Sequence, residues 1–82
     1  MANKDITVGY YAVLREARGC SEESMSITCN TPSELYAQLK DEYGFHLDES
    51  QLKVVVNEDF STFDHSIQDG DHLVFIPPVA GG

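Results

Sequence analysis

The residues with the clearest chemical use are the last eight of the sequence, FIPPVAGG, from Phe75 to Gly82. Two prolines fix their own φ and push the preceding residue into extended geometry, so residues 77–82 are predicted to leave the fold as a stiff arm. Six residues at about 3.3 Å each would carry the terminal carboxylate up to about 20 Å from the last strand. Ala80, Gly81 and Gly82 lack bulk, which would let the tip enter a narrow channel. The arm is therefore interpreted as a device that delivers its own carboxylate.

A carboxylate is unreactive at neutral pH, so delivering one makes chemical sense only if a partner activates it. The simplest activation is adenylation, which gives an acyl-adenylate that a nucleophile can attack, and Gly82 would then be the reacting residue. The sequence contains neither GxxxxGKS/T nor GxGxxG, the motifs that cradle phosphates, so ATP is not expected to bind to this chain itself. The alternative is a disordered tail with no chemical role.

Other catalytic chemistry has little support in the sequence. No Gly-x-Ser-x-Gly turn is present to expose a nucleophile. The residues that could ligate a metal have neither the i, i+4 nor the CxxC spacing of zinc sites, so no metal site is predicted. They are Cys20, Cys29, His46, His65 and His72. Carboxylates occur in pairs at predicted turns and helix ends, such as Asp69 with Asp71, and are interpreted as solvated surface.

Length and composition indicate one globular domain. The chain has 82 residues, of which 41% are hydrophobic, and this is enough apolar material for a single core. A net charge of −9 disfavours nucleic acid and anionic membrane surfaces, because binding either depends on clusters of Lys and Arg. A basic protein partner fits this charge, and so does acidity that only maintains solubility. Without a signal-peptide segment or an apolar run of about 20 residues, the protein is expected to be cytoplasmic.

Alternation of apolar and polar residues predicts the strands. Four main strands are predicted at residues 6–11, 24–29, 52–57 and 72–76, and a brief edge strand at residues 60–64. In the last strand Leu73 and Phe75 share one face. Val74 and Ile76 lie on the other. Residues 45–51 show no usable period and are interpreted as a loop.

Two helices are predicted between these strands. A short helix at residues 12–18 is followed by Gly19, a natural C-terminal cap. Thr31 is predicted to cap the main helix, with Pro32 as its first helical residue and Glu34 completing a capping-box signature. Gly44 supplies its end. The resulting order, β-α-β-α-β-β, predicts a compact α+β domain with one main helix packed across a single sheet.

An apolar surplus remains on the sheet face that the main helix does not cover. Alternation places four apolar side chains on that face, and no other segment is predicted to cover them. They are Tyr11, Phe60, Val74 and Ile76. Such a patch more often marks a partner site than an accident of sequence.

Together these features resemble the ubiquitin-like β-grasp sulfur carriers, and among them the small-subunit family of molybdopterin synthase. The likeness is carried by the order of elements, by the ending PPVAGG, and by the motifs FDH at residues 63–65 and DGD at residues 69–71. It extends from Tyr10 to Gly82, which is almost the whole chain.

The resemblance implies a β-grasp domain over residues 1–76, with a mixed sheet, and an extended, flexible Gly-Gly tail over residues 77–82. In that family the terminal glycine is adenylated by a ubiquitin-activating-like adenylyltransferase and converted to a thiocarboxylate. The tail then enters the active site of the large subunit, where its sulfur is transferred to a pterin precursor to build the dithiolene of molybdopterin. The chain would be a protein co-substrate and not an enzyme on its own, with no cofactor bound and ATP used in trans.

Carried over by position, the resemblance assigns roles to the tail and to the apolar surplus. Gly82 would bear the thiocarboxylate. The residues that thread the partner's channel would be Pro77, Pro78, Val79, Ala80 and Gly81. The docking face would be formed by Tyr11, Phe60 and Ile76, although the family often has phenylalanine where Tyr11 and Ile76 stand. The expected partners are the large subunit, in a heterotetramer, and the adenylyltransferase.

Three alternatives remain open from the sequence. The thiazole-pathway sulfur carrier shares the fold and the Gly-Gly end but does not typically show PPVAGG. A ubiquitin-like protein modifier would end in an isopeptide bond to lysine. A passive interaction domain would never react at all. An intact-mass measurement on the C-terminal peptide separates a carrier from the last two, because sulfur replaces oxygen only in a carrier.

Overall fold

The computed structural model describes residues 3–78, and within them the order of elements agrees with the predicted α+β pattern. The elements are β1 (Lys4–Tyr10), α1 (Ala12–Arg18), β2 (Glu22–Ile27), α2 (Pro32–Tyr43), a one-turn 3₁₀ helix (Glu49–Gln51), β3 (Lys53–Val56), β4 (Asp59–Ser61) and β5 (His72–Ile76). The predicted roles of Val79, Ala80, Gly81 and Gly82 fall outside the described residues.

The main helix, α2, begins and ends at the residues that the sequence predicted. The Thr31 hydroxyl accepts a hydrogen bond from the Glu34 backbone N–H at 3.2 Å. The Glu34 carboxylate accepts one in return from the Thr31 N–H at 3.1 Å. Gly44 ends the helix at a φ of 70°, in the left-handed region that glycine adopts without a steric cost. Both ends of α2 are therefore fixed by local residues.

The five strands form one mixed sheet in the order β2-β1-β5-β3-β4. The first and last strands of the chain, β1 and β5, lie side by side and parallel, with Val8 opposite Leu73. All other neighbouring pairs are antiparallel. This arrangement confirms the predicted mixed sheet and places β5, which leads into the arm, near the middle of the sheet.

The core lies between α2 and one face of the sheet. Aromatic rings bridge the two layers, with the Tyr36 ring centroid 5.3 Å from that of Phe75. The buried apolar side chains are Ile6, Val8, Tyr10, Leu14, Ile27, Cys29, Leu35, Tyr36, Leu39, Phe45, Leu52, Val54, Val56, Ile67, Leu73 and Phe75. Neither helix in residues 3–78 is long and apolar enough to cross a membrane.

The segment predicted as a structureless loop contributes to this core. Phe45 is buried and stacks on Tyr36, with 5.9 Å between ring centroids. The Tyr36 hydroxyl donates a hydrogen bond to the Leu47 carbonyl at 2.8 Å, and Asp48 caps the 3₁₀ helix that follows. The sequence missed these features because single contacts to a distant helix leave no periodic signal.

The bounds of four strands differ from the predictions. β1 spans Lys4–Tyr10 where residues 6–11 were predicted, and β3 spans Lys53–Val56 where residues 52–57 were predicted. β2 spans Glu22–Ile27, so it begins and ends two residues earlier than predicted, because its pairing with β1 runs from Glu22 opposite Gly9 to Ile27 opposite Lys4. The edge strand is also shorter, since β4 covers only Asp59–Ser61.

The interpretation of Asp71 as solvated surface is wrong. Asp71 is buried, with only 7% of its surface exposed to solvent. The carboxylate accepts hydrogen bonds from the Gln68 backbone N–H at 2.8 Å and from the Asn57 Nδ2 at 2.9 Å. A charge can be buried when such bonds replace its water, and here the folded turn supplies them.

A cluster formed by Tyr10, Arg18 and Glu23 ties α1 to the sheet. The Glu23 carboxylate accepts hydrogen bonds from the Tyr10 hydroxyl at 2.6 Å and from Arg18 Nε and Nη2 at 2.7 and 2.6 Å. The guanidinium of Arg18 also lies 4.2 Å from the centre of the Tyr43 ring, in a cation–π contact with α2. The hydrogen bond from Arg18 holds the pKa of Glu23 below its usual value.

Replacing Glu23 with Gln should reduce the free energy of unfolding by about 2 kcal/mol at pH 7, because a hydrogen-bonded charge pair is lost. The pKa of Glu23 is lower in the folded state than in the unfolded state. Its contribution should therefore be complete above the usual glutamate pKa of about 4.3 and should disappear as pH falls through the folded-state value. Urea unfolding of both proteins at pH 7 and at pH 3 would measure this.

The matched control for this prediction is Glu22→Gln, on the same strand but with a side chain that is 55% exposed. We expect this control to change stability by less than about 0.5 kcal/mol. Equal urea midpoints for the wild-type and Glu23→Gln chains at pH 7 would contradict the proposed contribution of the cluster.

Candidate functional site

The root of the arm lies inside the sheet. β5 is parallel to β1 on one side and antiparallel to β3 on the other, where Lys53 lies opposite Ile76. Pro77 is buried, whereas Pro78 is exposed. Burial along the chain therefore ends between Pro77 and Pro78, and the stiff arm over residues 77–82 stays a prediction.

The sheet face opposite α2 carries a row of side chains that crosses all five strands. The register places residues of neighbouring strands directly opposite one another along this row. In order from β2 to β4 the row is Glu22, Gly9, Val74, Val55 and Phe60. Its centre is apolar, and its β2 end is charged.

An apolar face surrounds the root of the arm. We define it as Tyr11, Val55, Phe60, Val74 and Ile76. The Tyr11 side chain is 56% exposed and that of Phe60 is 76% exposed, while the other three are half-buried. A shallow cavity of about 280 Å³ is lined by four of these residues together with Glu58 and His72. The structure therefore brings together the residues that the sequence placed on the uncovered face and adds Val55, Glu58 and His72.

Gly9 keeps the middle of this face flat. A Cβ atom at this position would lie 3.2 Å from Val74 Cγ2, which is closer than ordinary van der Waals contact. The absence of a side chain therefore allows Val74 to lie against β1. A glycine inside a strand often marks such a close approach, which is the signal that could have identified Gly9.

Charged groups border the apolar face on the side of β2. His72 Nε2 lies 3.0 Å from Glu22 Oε2, at a distance that forms an ion pair when the imidazole is protonated. The orientation of the two groups does not satisfy a hydrogen bond, and the nitrogen is shielded from solvent. The sequence could not connect these residues because they lie on strands that are separated by β1.

The described residues offer little reactive chemistry of their own. In residues 3–78 no three His, Cys, Asp or Glu side chains are close enough to hold a metal ion. Burial raises the pKa of the Cys29 thiol above its usual value, which disfavours the nucleophilic thiolate. What this part of the chain presents is an apolar surface beside the root of the arm.

A mixed five-stranded sheet with its main helix across one face, and with the last strand beside the first, defines a ubiquitin-like β-grasp protein. The chain belongs to the ThiS family, whose model matches residues 8–82.

A curated relative confirms the predicted resemblance. The molybdopterin synthase sulfur carrier subunit of Escherichia coli (strain K12) is 32% identical over 80 residues, which cover 94% of this chain and 99% of that protein. The match therefore spans nearly the full length of both proteins.

Two solved structures share the fold. Small archaeal modifier protein 1 from Methanosarcina acetivorans has a TM-score of 0.76 at 22% identity and covers 100% of both chains. The complex of subunits 1 and 2 of molybdopterin-converting factor from Helicobacter pylori 26695 contains a chain with a TM-score of 0.63 at 24% identity. That match covers 95% of this chain and 99% of the other.

Because Phe60 is exposed and Phe75 is buried, replacing each with alanine should have different effects on the free energy of unfolding. Phe60→Ala should change the free energy of unfolding by no more than about 0.5 kcal/mol, because most of the side chain is in solvent. Phe75→Ala, on the opposite face of the sheet, should cost about 3–5 kcal/mol because its side chain is fully buried. Urea unfolding of the two variants gives the comparison. A loss above about 1.5 kcal/mol at Phe60 would mean that this ring is part of the core.

Proposed function

We propose that this protein is a sulfur carrier in molybdopterin biosynthesis, and that Gly82 carries the sulfur as a C-terminal thiocarboxylate. The observation that carries the proposal is the apolar face at the root of an arm whose sequence is PPVAGG. The nearly full-length match to a molybdopterin synthase sulfur carrier subunit supports it. The family match extends through Gly82.

The proposed activation takes place in a partner and leaves the carrier with a sulfur atom. An oxygen of the Gly82 carboxylate bonds to the α-phosphorus of ATP, and pyrophosphate leaves. Hydrosulfide, supplied with the partner, then attacks the acyl carbon and forms the carbon–sulfur bond as the bond to AMP breaks. AMP leaves, the thioacid loses its proton to water, and the thiocarboxylate remains. The adenylyltransferase holds ATP, so this chain needs no cofactor of its own.

The proposed sulfur acceptor is a pterin precursor in the large subunit of molybdopterin synthase. Docking through Tyr11, Phe60 and Ile76 would place the start of the arm at the interface, and the residues from Pro77 to Gly81 would thread the partner's channel. The Helicobacter pylori structure is a complex of two subunits of molybdopterin-converting factor, which supports a large-subunit partner. Pairing of two such heterodimers into a heterotetramer belongs to the same proposal.

A ubiquitin-like protein modifier is the second candidate, because a solved structure with this fold is a small archaeal modifier protein. The two functions predict different C-terminal chemistry. A carrier purified from its own cells should contain a fraction whose C-terminal peptide is heavier by the difference between sulfur and oxygen. A modifier should instead be found in isopeptide bonds to lysine. Reconstitution with the large subunit separates a molybdopterin carrier from a thiazole-pathway carrier, because only the former yields molybdopterin.

The proposed docking role predicts that Phe60→Asp or Ile76→Asp weakens binding to the large subunit by about 2 kcal/mol or more, as expected for buried interface anchors. Isothermal titration calorimetry measures the affinity, and circular dichroism checks the fold. Val13→Asp is the control, since Val13 is 53% exposed but lies on α1, outside the apolar face. Unchanged affinity in both variants would remove this face from the interface.

Removing Gly82 should abolish sulfur transfer and leave complex formation nearly intact. The carboxylate would recede by about 3.3–3.6 Å, whereas a misplacement of about 1 Å can already cost a hundredfold in rate. Gly81→Val tests the channel separately, because it keeps the length and adds a β-branched side chain. Both variants would be assayed for adenylation and then for molybdopterin formation with the large subunit. A truncated chain that still supports turnover would show that Gly82 is not the carrier group.

A further inference from the structure

Among residues 3–78, Asp71 is the only buried charged residue, and its carboxylate accepts a hydrogen bond from a turn far from it in sequence. The bond from Asn57 Nδ2 to Asp71 Oδ1 measures 2.9 Å and joins residues 14 positions apart. The other oxygen, Oδ2, accepts the Gln68 N–H at 2.8 Å. Burying a carboxylate costs free energy, and these hydrogen bonds must offset that cost.

Asn57 forms the tight turn between β3 and β4. Its φ is 52° and that of Glu58 is 74°, so both central residues have the positive φ of a two-residue type I′ hairpin turn. The Asn57 side chain is held at both of its polar atoms, because Oδ1 accepts the His72 N–H at 3.0 Å while Nδ2 donates to Asp71. The Asn57 N–H also donates to the His72 carbonyl at 2.9 Å. We call this pair the Asp71–Asn57 anchor.

The anchor lies next to β4, the edge strand that carries Phe60 on the apolar face. β4 is three residues long, lies at the sheet edge and pairs only with β3. It carries Phe60, which is 76% exposed and stands opposite Val55. A ring with so little burial contributes little to holding its strand, so the position of β4 depends on its pairing with β3 and on the turn that joins the two strands.

We propose that Asp71 is a positioning residue for docking, which acts through Asn57 to fix the β3–β4 hairpin and thereby the place of Phe60 on the apolar face. This inference rests on the proposed function, since it concerns the same docking surface. Asp71 itself is buried and does not line the cavity on that surface. Its effect on binding is indirect.

The residue types at the two positions are complementary. The Asn57 side-chain oxygen accepts a hydrogen bond from the His72 N–H, so the Asn57 NH₂ group is left to donate to residue 71. Residue 71 must therefore provide two acceptors, one for Asn57 and one for the Gln68 N–H. A carboxylate does so with its two oxygens. Asn57→Asp would set two carboxylates against each other, and Asp71→Asn would leave one donor without an acceptor. The double exchange, Asn57→Asp with Asp71→Asn, restores every bond with the roles reversed.

The test compares the wild-type chain, both single variants and the double exchange. Amide hydrogen exchange of Asp59–Ser61, followed by NMR in the free chain, reports on β4. Calorimetry reports the affinity for the molybdopterin synthase large subunit from the same organism. We expect each single variant to exchange about tenfold faster in β4 and to bind about tenfold more weakly, as loss of a hydrogen bond to a charged group implies. The double exchange should return both values to within about twofold of wild type.

A merely structural effect of these substitutions would lower global stability and would accelerate exchange in the central strands as much as in β4. Equal acceleration in β1 and β4 would therefore overturn the proposal, and so would normal affinity in a single variant with a loosened β4. Failure of the double exchange to restore β4 would also overturn it. If the wild-type chain does not bind the large subunit, the proposed function fails, and β4 exchange still decides whether the anchor holds the hairpin.

Discussion

The parallel pairing of β1 with β5 is the constraint on which the rest of the structure depends. It joins the first and last strands of residues 3–78 inside one sheet. The helix α2 and the other strands must therefore lie in the segment of chain that connects β1 to β5. The main helix fills one face of the sheet, and within residues 3–78 no further helix or strand covers the other. The same pairing brings Gly9 against Val74 and places the start of the arm beside an uncovered apolar face. The pairing of β1 with β5 therefore both completes the sheet and places the apolar face beside the arm.

The core lies on one face of the sheet, and the proposed docking surface lies on the other. Side chains that alternate along β5 illustrate this, since Leu73 and Phe75 are fully buried under α2 while Val74 and Ile76 remain half-exposed. A one-residue shift in register would exchange the two sets and lose the core, so the register is strongly specified. The apolar face is consequently held in place by the packing on the other side. Under the proposed function, changes on that face would alter binding to the partner with little effect on folding.

Local sequence signals predicted the elements well, whereas contacts between distant residues escaped them. The capping box at Thr31 and the alternation of residues 72–76 involve neighbours in sequence, and both were confirmed. The burial of Asp71 depends on Asn57, and the pairing of His72 with Glu22 depends on the strand order, which periodicity does not determine. Glycine or asparagine in a turn can suggest that a special contact exists. It does not say which residue is the partner.

The position of the arm also constrains how a carrier of this kind could work with two enzymes. The arm begins next to Ile76, inside the apolar face, and residues 77–82 reach at most about 20 Å. An enzyme that takes the Gly82 carboxylate into a deep site must therefore approach that face closely. The adenylyltransferase and the large subunit would then compete for the same surface, so sulfur delivery would require the carrier to dissociate from one before it binds the other. Very tight binding to either partner would slow sulfur delivery, because the carrier would dissociate slowly from that partner. A small apolar face, which gives moderate affinity, therefore suits this cycle better than a large one.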